Sequence, residues 1–174
     1  EIWGILASKN VSRGLRLLSS SLVGNYLFSK DYSTVTEDVA DRFEACRIRW
    51  QALKLECPII DGWLATEVEQ GLSCETLILW TLMLAQIDQS LPARLADEWM
   101  LSRRAQANIR GLAVVDVRSL DDLANVYHSG RAFARWACKT HVDPKLLLLT
   151  LAVLGSDHPM GLIASWVPLV DSLE

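Results

Sequence analysis

The chain has 174 residues, of which 51% are hydrophobic and 22% charged, and its 17 basic and 21 acidic side chains give a formal net charge of −4. This composition excludes an intrinsically disordered chain, and the acidic balance argues against a nucleic-acid-binding surface, because such surfaces carry clustered lysine and arginine. A chain of this length buries about 70% of its extended surface, which is enough for one core. We therefore expect a single domain over 1–174, either alone or as part of a longer chain.

Membrane segments and disulfides are not expected. The two longest apolar runs, 77–85 and 146–154, are about half as long as the roughly 20 residues that a membrane-spanning helix needs. The first residues lack the basic region and long apolar stretch of a signal peptide. The four cysteines form no CxxC pair, and a chain of this size folds without disulfides. We expect buried free thiols in a cytoplasmic protein.

Helical periodicity dominates the first part of the chain. Apolar residues recur at helical spacing over 11–28, although Gly14 and Gly24 disfavour an unbroken helix. The segment 34–56 has acidic residues early and basic residues late, which matches the helix dipole. It contains one apolar stripe, made of Val35, Val39, Phe43, Cys46, Trp50 and Leu53. A short helix is predicted over 59–71, ending at Gly71.

Two later segments carry helix start signals and are apolar on all sides. Ser73 is a predicted N-cap for a helix over 74–89, and Asp143 followed by Pro144 predicts the start of another over 144–154. A helix that is apolar all round is covered by neighbours. We therefore predict that 74–89 and 144–154 are the central buried helices.

The remaining segments complete an all-α pattern. Helices are predicted over 91–110 and 120–140. Between them, 112–118 has strand-like composition, but a lone strand has no pairing partner, so an extended linker is favoured over a strand. A last helix follows Pro159 and is expected to bend or end early at Pro168. The predicted fold is an irregular bundle of about seven to eight helices.

Motifs for catalysis or ligand binding are missing from the sequence. It contains no glycine-rich phosphate loop, no GxSxG and no HExxH. The histidines His128, His141 and His158 are too widely spaced to indicate a metal site. Cys74 follows a predicted cap, a position that lowers a thiol pKa, but no histidine partner is identifiable. We expect a non-enzymatic protein without a cofactor or metal.

The helix over 120–140 carries the candidate interaction surface. At about 100° per residue, its apolar residues fill one half of the helix, and Trp136 falls on the far side. One border of the apolar half carries His128, Arg131, Arg135 and Lys139. Tryptophan and arginine are enriched at interaction hot spots, and a basic border favours an acidic partner. The alternative is that a neighbouring helix of the same chain covers Trp136.

These observations favour a helical protein–protein interaction module, meaning an adaptor, chaperone-like or regulatory domain. A second basic group consists of Arg103, Arg104 and Arg110. If it lay beside the first, an anionic partner would be better supported. The alternative function is small-molecule sensing through an apolar pocket between the central helices, lined by Trp50, Trp80 and Met83. Plain core packing also explains those three residues.

Overall fold

The computed structural model describes residues 4–5, 8, 10–19, 36–115, 130–154 and 160–173. This part of the chain contains nine helices and one short hairpin, which confirms the predicted all-α fold. In chain order the elements are α1 (Val11–Ser19), α2 (Thr36–Glu56), α3 (Ile59–Ala65), β1 (Glu67–Glu69), β2 (Leu72–Ser73), α4 (Cys74–Ile87), α5 (Leu91–Glu98), α6 (Arg103–Ala113), α7 (Gly130–Thr140), α8 (Pro144–Leu154) and α9 (Met160–Asp171). None of the described helices is long and apolar enough to cross a membrane.

The two predicted central helices, α4 and α8, form the middle of the core. Every residue of α8 from Leu146 to Val153 is buried. The hydroxyl of Ser73 accepts the N–H of Thr76 at 3.2 Å, which caps the start of α4 as predicted. Such bonds satisfy N–H groups that have no partner in the first turn of a helix.

Helix α2 packs against α8 through its predicted apolar stripe, and two side-chain bonds fix the contact. The indole N–H of Trp50 donates to the carbonyl of Leu149 at 3.0 Å, and Nε of Arg49 donates to the carbonyl of Ala152 at 2.7 Å. Helices α1 and α9 also contact α2. One side of α2 is therefore firmly held in the bundle.

The predicted helix over 59–71 is wrong beyond Ala65. Helix α3 ends there, and the following residues form an antiparallel hairpin in which Glu67 pairs with Ser73. Gly71 lies in the turn of this hairpin with φ of 74°. A left-handed glycine serves a hairpin turn as well as it ends a helix, so the glycine position alone does not separate the two.

The predicted helix over 91–110 is two helices, α5 and α6. After Glu98 the N–H groups of Met100 and Leu101 donate to the carbonyls of Asp97 and Ala96, a Schellman ending of α5. Met100 takes the left-handed position of this motif, with φ of 52°. Glycine is usual there, so the residue type at position 100 gave no signal for the end of α5. Ser102 then caps α6 by accepting the N–H of Ala105 at 3.3 Å.

The last helix does not end early at Pro168, because α9 continues through this residue to Asp171. Proline has no N–H to donate to the carbonyl four residues earlier. That carbonyl, on Ala164, instead accepts a weak bond from the Cys57 thiol at 3.9 Å. A neighbouring segment thus compensates for the missing donor.

Three further predictions are tested only in part. Residues 112 and 113 are the end of α6, so the linker predicted over 112–118 begins later, and 116–118 lie outside the described residues. The helix predicted over 11–28 is present as α1, and 20–28 lie outside the described part. The helix predicted over 120–140 is present from Gly130, and 120–129 are likewise not described.

Candidate functional site

The predicted interaction surface on α7 is partly covered by the chain itself. Trp136 is half-buried, and its ring centroid lies 6.1 Å from that of Phe133 at an interplanar angle of 55°. Arg135 and Lys139 are exposed, as the hypothesis requires. His128 and the side chain of Arg131 lie outside the described residues. The Trp136 surface therefore stays a prediction.

The structure corrects one expectation for α7 and shows the partners of the second basic group. Cys138, whose thiol was expected to be buried, is exposed, whereas Ala137 beside it is buried. In the second basic group, Nη2 of Arg104 lies 3.0 Å from Oδ2 of Asp143. Nη2 of Arg110 lies 2.6 Å from Oδ1 of Asp97. These two arginines are therefore held by aspartates of the same chain.

The three residues of the predicted pocket are core residues. Trp50, Trp80 and Met83 are all buried, and the ring of Trp80 packs on Trp99 with centroids 5.7 Å apart. Of the three, Trp50 alone lines a described cavity, the groove beside α2. The core-packing explanation accounts for their positions.

A separate apolar cavity of about 340 Å³ does lie between α2, α4 and α8. Its apolar lining consists of Phe43, Ala45, Cys46, Leu82, Val153 and Leu154, and its polar lining includes Arg42 and Arg49. None of the residues that the sequence suggested for a pocket, Trp50, Trp80 and Met83, lines this cavity. A cavity depends on where packing fails, and helical periodicity does not carry that information.

The outer side of α2 carries an apolar stripe that the sequence analysis missed. Ile48 is 61% exposed and Leu55 is 88% exposed, and Ala45 and Ala52 beside them are exposed as well. At about 100° per residue, these four side chains lie within about 80° of one another. We call Ala45, Ile48, Ala52 and Leu55 the outer stripe of α2. Its spacing of three, four and three was the signal available in the sequence.

A groove of about 490 Å³ runs along the same helix beside the outer stripe. Ile48 belongs to both features. The charged side chains in the groove lining are Glu44, Arg47, Lys54 and Glu75. Nε of Arg47 lies 3.0 Å from Oε1 of Glu75, which ties α2 to the start of α4. The groove thus combines an apolar edge with charges of both signs.

Burial disfavours the thiolate form of two cysteines, Cys74 and Cys46. Burial, together with the negative charge of Asp143, raises the pKa of Cys74 to about 11. The expectation that the start of α4 lowers this pKa is therefore wrong, because desolvation outweighs the helix dipole. Burial also raises the pKa of Cys46 to about 11. All four cysteines are free, and no cluster of metal-ligating side chains occurs among the described residues.

The candidate surfaces are thus defined by the geometry of this chain: the outer stripe of α2 with its groove, the predicted Trp136 surface, and the apolar cavity between α2, α4 and α8. Searches for relatives give no further guide to their use. No protein-family model, no curated protein and no solved structure matches the chain.

Proposed function

We propose that this protein is a non-enzymatic helical interaction module that binds an amphipathic helix of another protein along the outer stripe of α2. The observation that carries the proposal is the exposure of Ile48 and Leu55 on one side of a helix whose other side is buried. Large aliphatic side chains aligned along a helix and left in water are a feature of protein-binding surfaces.

The two sides of α2 have different environments, one in the core and one in solvent. Phe43, Trp50 and Leu53 fill the core side, and at about 100° per residue they lie roughly opposite the outer stripe. A helix needs only one apolar side to join a bundle. The outer stripe is therefore not explained by the folding of the described part of the chain.

The spacing of the outer stripe indicates what kind of partner fits. Intervals of three and four residues form the seam by which two helices pack side by side. Ala45 and Ala52 allow a close approach, while Ile48 and Leu55 supply the large side chains. The stripe spans about 15 Å along the axis, or nearly three turns. A partner helix with its own apolar seam matches this length and shape.

The groove beside the stripe favours a partner helix with charged flanks. Arg47 is already paired with Glu75, and Lys54 lies 2.6 Å from Asp61. Glu44 and Gln51 are exposed at the same edge. Such rim groups contribute more to orientation and specificity than to affinity. The four free thiols are consistent with a partner in a reducing compartment such as the cytoplasm.

The test is a binding measurement with the double variant Ile48→Glu and Leu55→Glu. Burying two such side chains contributes about 3 kcal/mol together, so the variant should weaken partner binding on the order of a hundredfold. The partner is first captured with the wild-type chain, then purified and titrated directly. Stability should change by less than about 0.5 kcal/mol, because both positions are exposed.

The matched control is the double variant Leu17→Glu and Met100→Glu, whose side chains are 61% and 85% exposed elsewhere on the molecule. It adds the same charge and should leave binding unchanged. Equal losses in both double variants would contradict the proposal. If the wild-type chain instead forms a dimer that the Ile48 and Leu55 substitutions dissociate, the occupant of the stripe is a second copy and the hetero-partner is refuted.

The second candidate function is small-molecule sensing, and the apolar cavity between α2, α4 and α8 supports it. Its volume of about 340 Å³ is more than twice the roughly 150 Å³ that holds benzene in an engineered core, so it fits about a dozen non-hydrogen atoms. Arg42 at its lining suits an acidic group. An aromatic carboxylate such as 2-naphthoate should then raise the melting temperature, and Leu82→Phe, which fills the cavity, should abolish the rise. No rise in the wild type would reject this candidate.

A further inference from the structure

A small polar cavity lies where three helices begin. Residues near the starts of α4, α6 and α8 line a space of about 150 Å³. Trp63 of α3 and residues 66–68 complete the described lining. This cavity shares no residue with the outer stripe of α2, so an inference drawn from it goes beyond the proposed function.

Asp143 organises the polar groups of this cavity. Its N–H donates to Oδ1 of Asn108 at 2.9 Å, and its own Oδ1 accepts the N–H of Lys145 at 2.9 Å. Its Oδ2 accepts a bond from Nη2 of Arg104 at 3.0 Å. Both carboxylate oxygens of Asp143 are thus occupied by donors. The network holds Asn108, Lys145 and Arg104 around one space.

The side chain of Asn108 provides the most specific indication of a ligand. It is only 3% exposed and lines the cavity. Because its oxygen accepts the N–H of Asp143, the other end of the amide is the N–H₂ donor. Among the described residues, this nitrogen has no hydrogen-bond acceptor. The nitrogen is open to the space of the cavity rather than sealed off from water, so a ligand oxygen there would accept its hydrogen bond in place of water.

Two cations line the same cavity. A guanidinium has five N–H donors, and Asp143 uses one of those of Arg104. The ammonium of Lys145 lies 5.3 Å from the ring centroid of Trp63. Two carboxylates also line the cavity. Glu67 is exposed, so water and salt screen its charge, and the charge of Asp143 is balanced by its ion pair with Arg104. The Cys74 thiol stays neutral at pH 7, because burial raises its pKa to about 11.

We propose that this cavity binds a small oxyanion, held by the amide nitrogen of Asn108 and by the side chains of Arg104 and Lys145. The positive ends of three helix dipoles add to the attraction. A cavity of about 150 Å³ holds benzene in an engineered protein, so an anionic group of about six non-hydrogen atoms fits. The oxyanion is either a free ion or the acidic group of a larger molecule.

Calorimetric titration of the whole chain tests the proposal with three probes: inorganic phosphate, acetate and phenyl phosphate, each at constant ionic strength against sodium chloride. At least one probe should bind saturably at millimolar concentration. Preference for phosphate indicates a free ion, and preference for phenyl phosphate indicates the acidic group of a larger molecule. Arg104→Gln should weaken binding about tenfold, the usual scale for one charge-assisted bond.

The matched control is Arg103→Gln, since Arg103 is exposed in the same helix turn and does not line the cavity. It should leave the affinity unchanged. Asn108→Asp keeps the acceptor for Asp143 and removes the donor, so it should abolish binding. If Asn108→Asp fails to fold, the comparison of Arg104→Gln with Arg103→Gln still tests the proposal, because both arginines are exposed. Absence of saturable binding with all three probes, or equal losses in the two arginine variants, would overturn the proposal.

Discussion

The contact between α6 and the turn before α8 depends on Gly111. A Cβ atom at this position would overlap Cγ2 of Val142 and would lie 2.9 Å from the carbonyl oxygen of Thr140. Val142 is buried, so its side chain has little room to move away. We therefore expect Gly111→Ala to destabilise the protein, although alanine is the better helix former.

The magnitude follows from two opposing effects. Overpacking in a tight site costs about 1–3 kcal/mol. Replacing a helical glycine by alanine stabilises the helix by about 0.5–1 kcal/mol. The net prediction is a loss of about 0–2.5 kcal/mol in the free energy of unfolding, with a central value of about 1 kcal/mol. The change also strains the segment that leads to Asp143, so oxyanion binding in the polar cavity should weaken in parallel.

The assay is urea unfolding followed by tryptophan fluorescence, with Gly62→Ala as the control. Gly62 is inside α3, and a Cβ atom there meets nothing within 4 Å. The control should gain about 0.5–1 kcal/mol from helix propensity alone. If Gly111→Ala proves as stable as Gly62→Ala, then α6 does not approach the turn before α8 as described, and the reasoning is refuted.

Three further predictions concern single side chains. Trp136→Ala should lower the free energy of unfolding by about 1–3 kcal/mol, which is less than the loss for a fully buried tryptophan. It should leave partner binding at the outer stripe unchanged. Loss of binding without loss of stability would instead place the interface on α7. Met100→Gly should stabilise the protein by about 1 kcal/mol in thermal unfolding, because glycine adopts a positive φ without strain. A loss of stability would show that the backbone at Met100 is not strained. Thiol reagents at pH 8 should label the exposed Cys138 before Cys46 and Cys74, whose labelling accelerates as pH rises towards 11. The folded pKa values of Cys46 and Cys74, about 11, exceed the ordinary value of 9.0, so the stability of the protein should fall as the pH rises from 9 to 11. Equal labelling of Cys46, Cys74 and Cys138 would contradict the burial of the first two thiols.

Local chemistry made parts of the fold predictable. Ser73 and Asp143 cap helices with their own side chains, so the starts of α4 and α8 follow from short motifs. The core side of α2 follows from the spacing of Phe43, Trp50 and Leu53, because a buried stripe must repeat with the helix. These signals depend on neighbours within one or two turns.

Other features depend on packing and left no local signal. The end of α5 has Met100 where glycine is usual, so no glycine marked the end of this helix. Ile48 and Leu55 stand among charged residues, and whether a neighbouring helix covers them is decided by the tertiary fold. The polar cavity joins the starts of three helices from distant parts of the sequence. Only the folded chain brings these groups together.

The most direct test of the proposed function is hydroxyl-radical footprinting of the chain with and without the purified partner. The method reports the solvent accessibility of individual side chains, and Met100 serves as an internal reference because it is exposed and remote from α2 in sequence. We predict that the partner protects Ile48 and Leu55 and leaves Met100 unprotected. Unchanged oxidation of Ile48 and Leu55 in the complex, with protection at Trp136 or elsewhere, would contradict the assignment of the outer stripe as the binding surface.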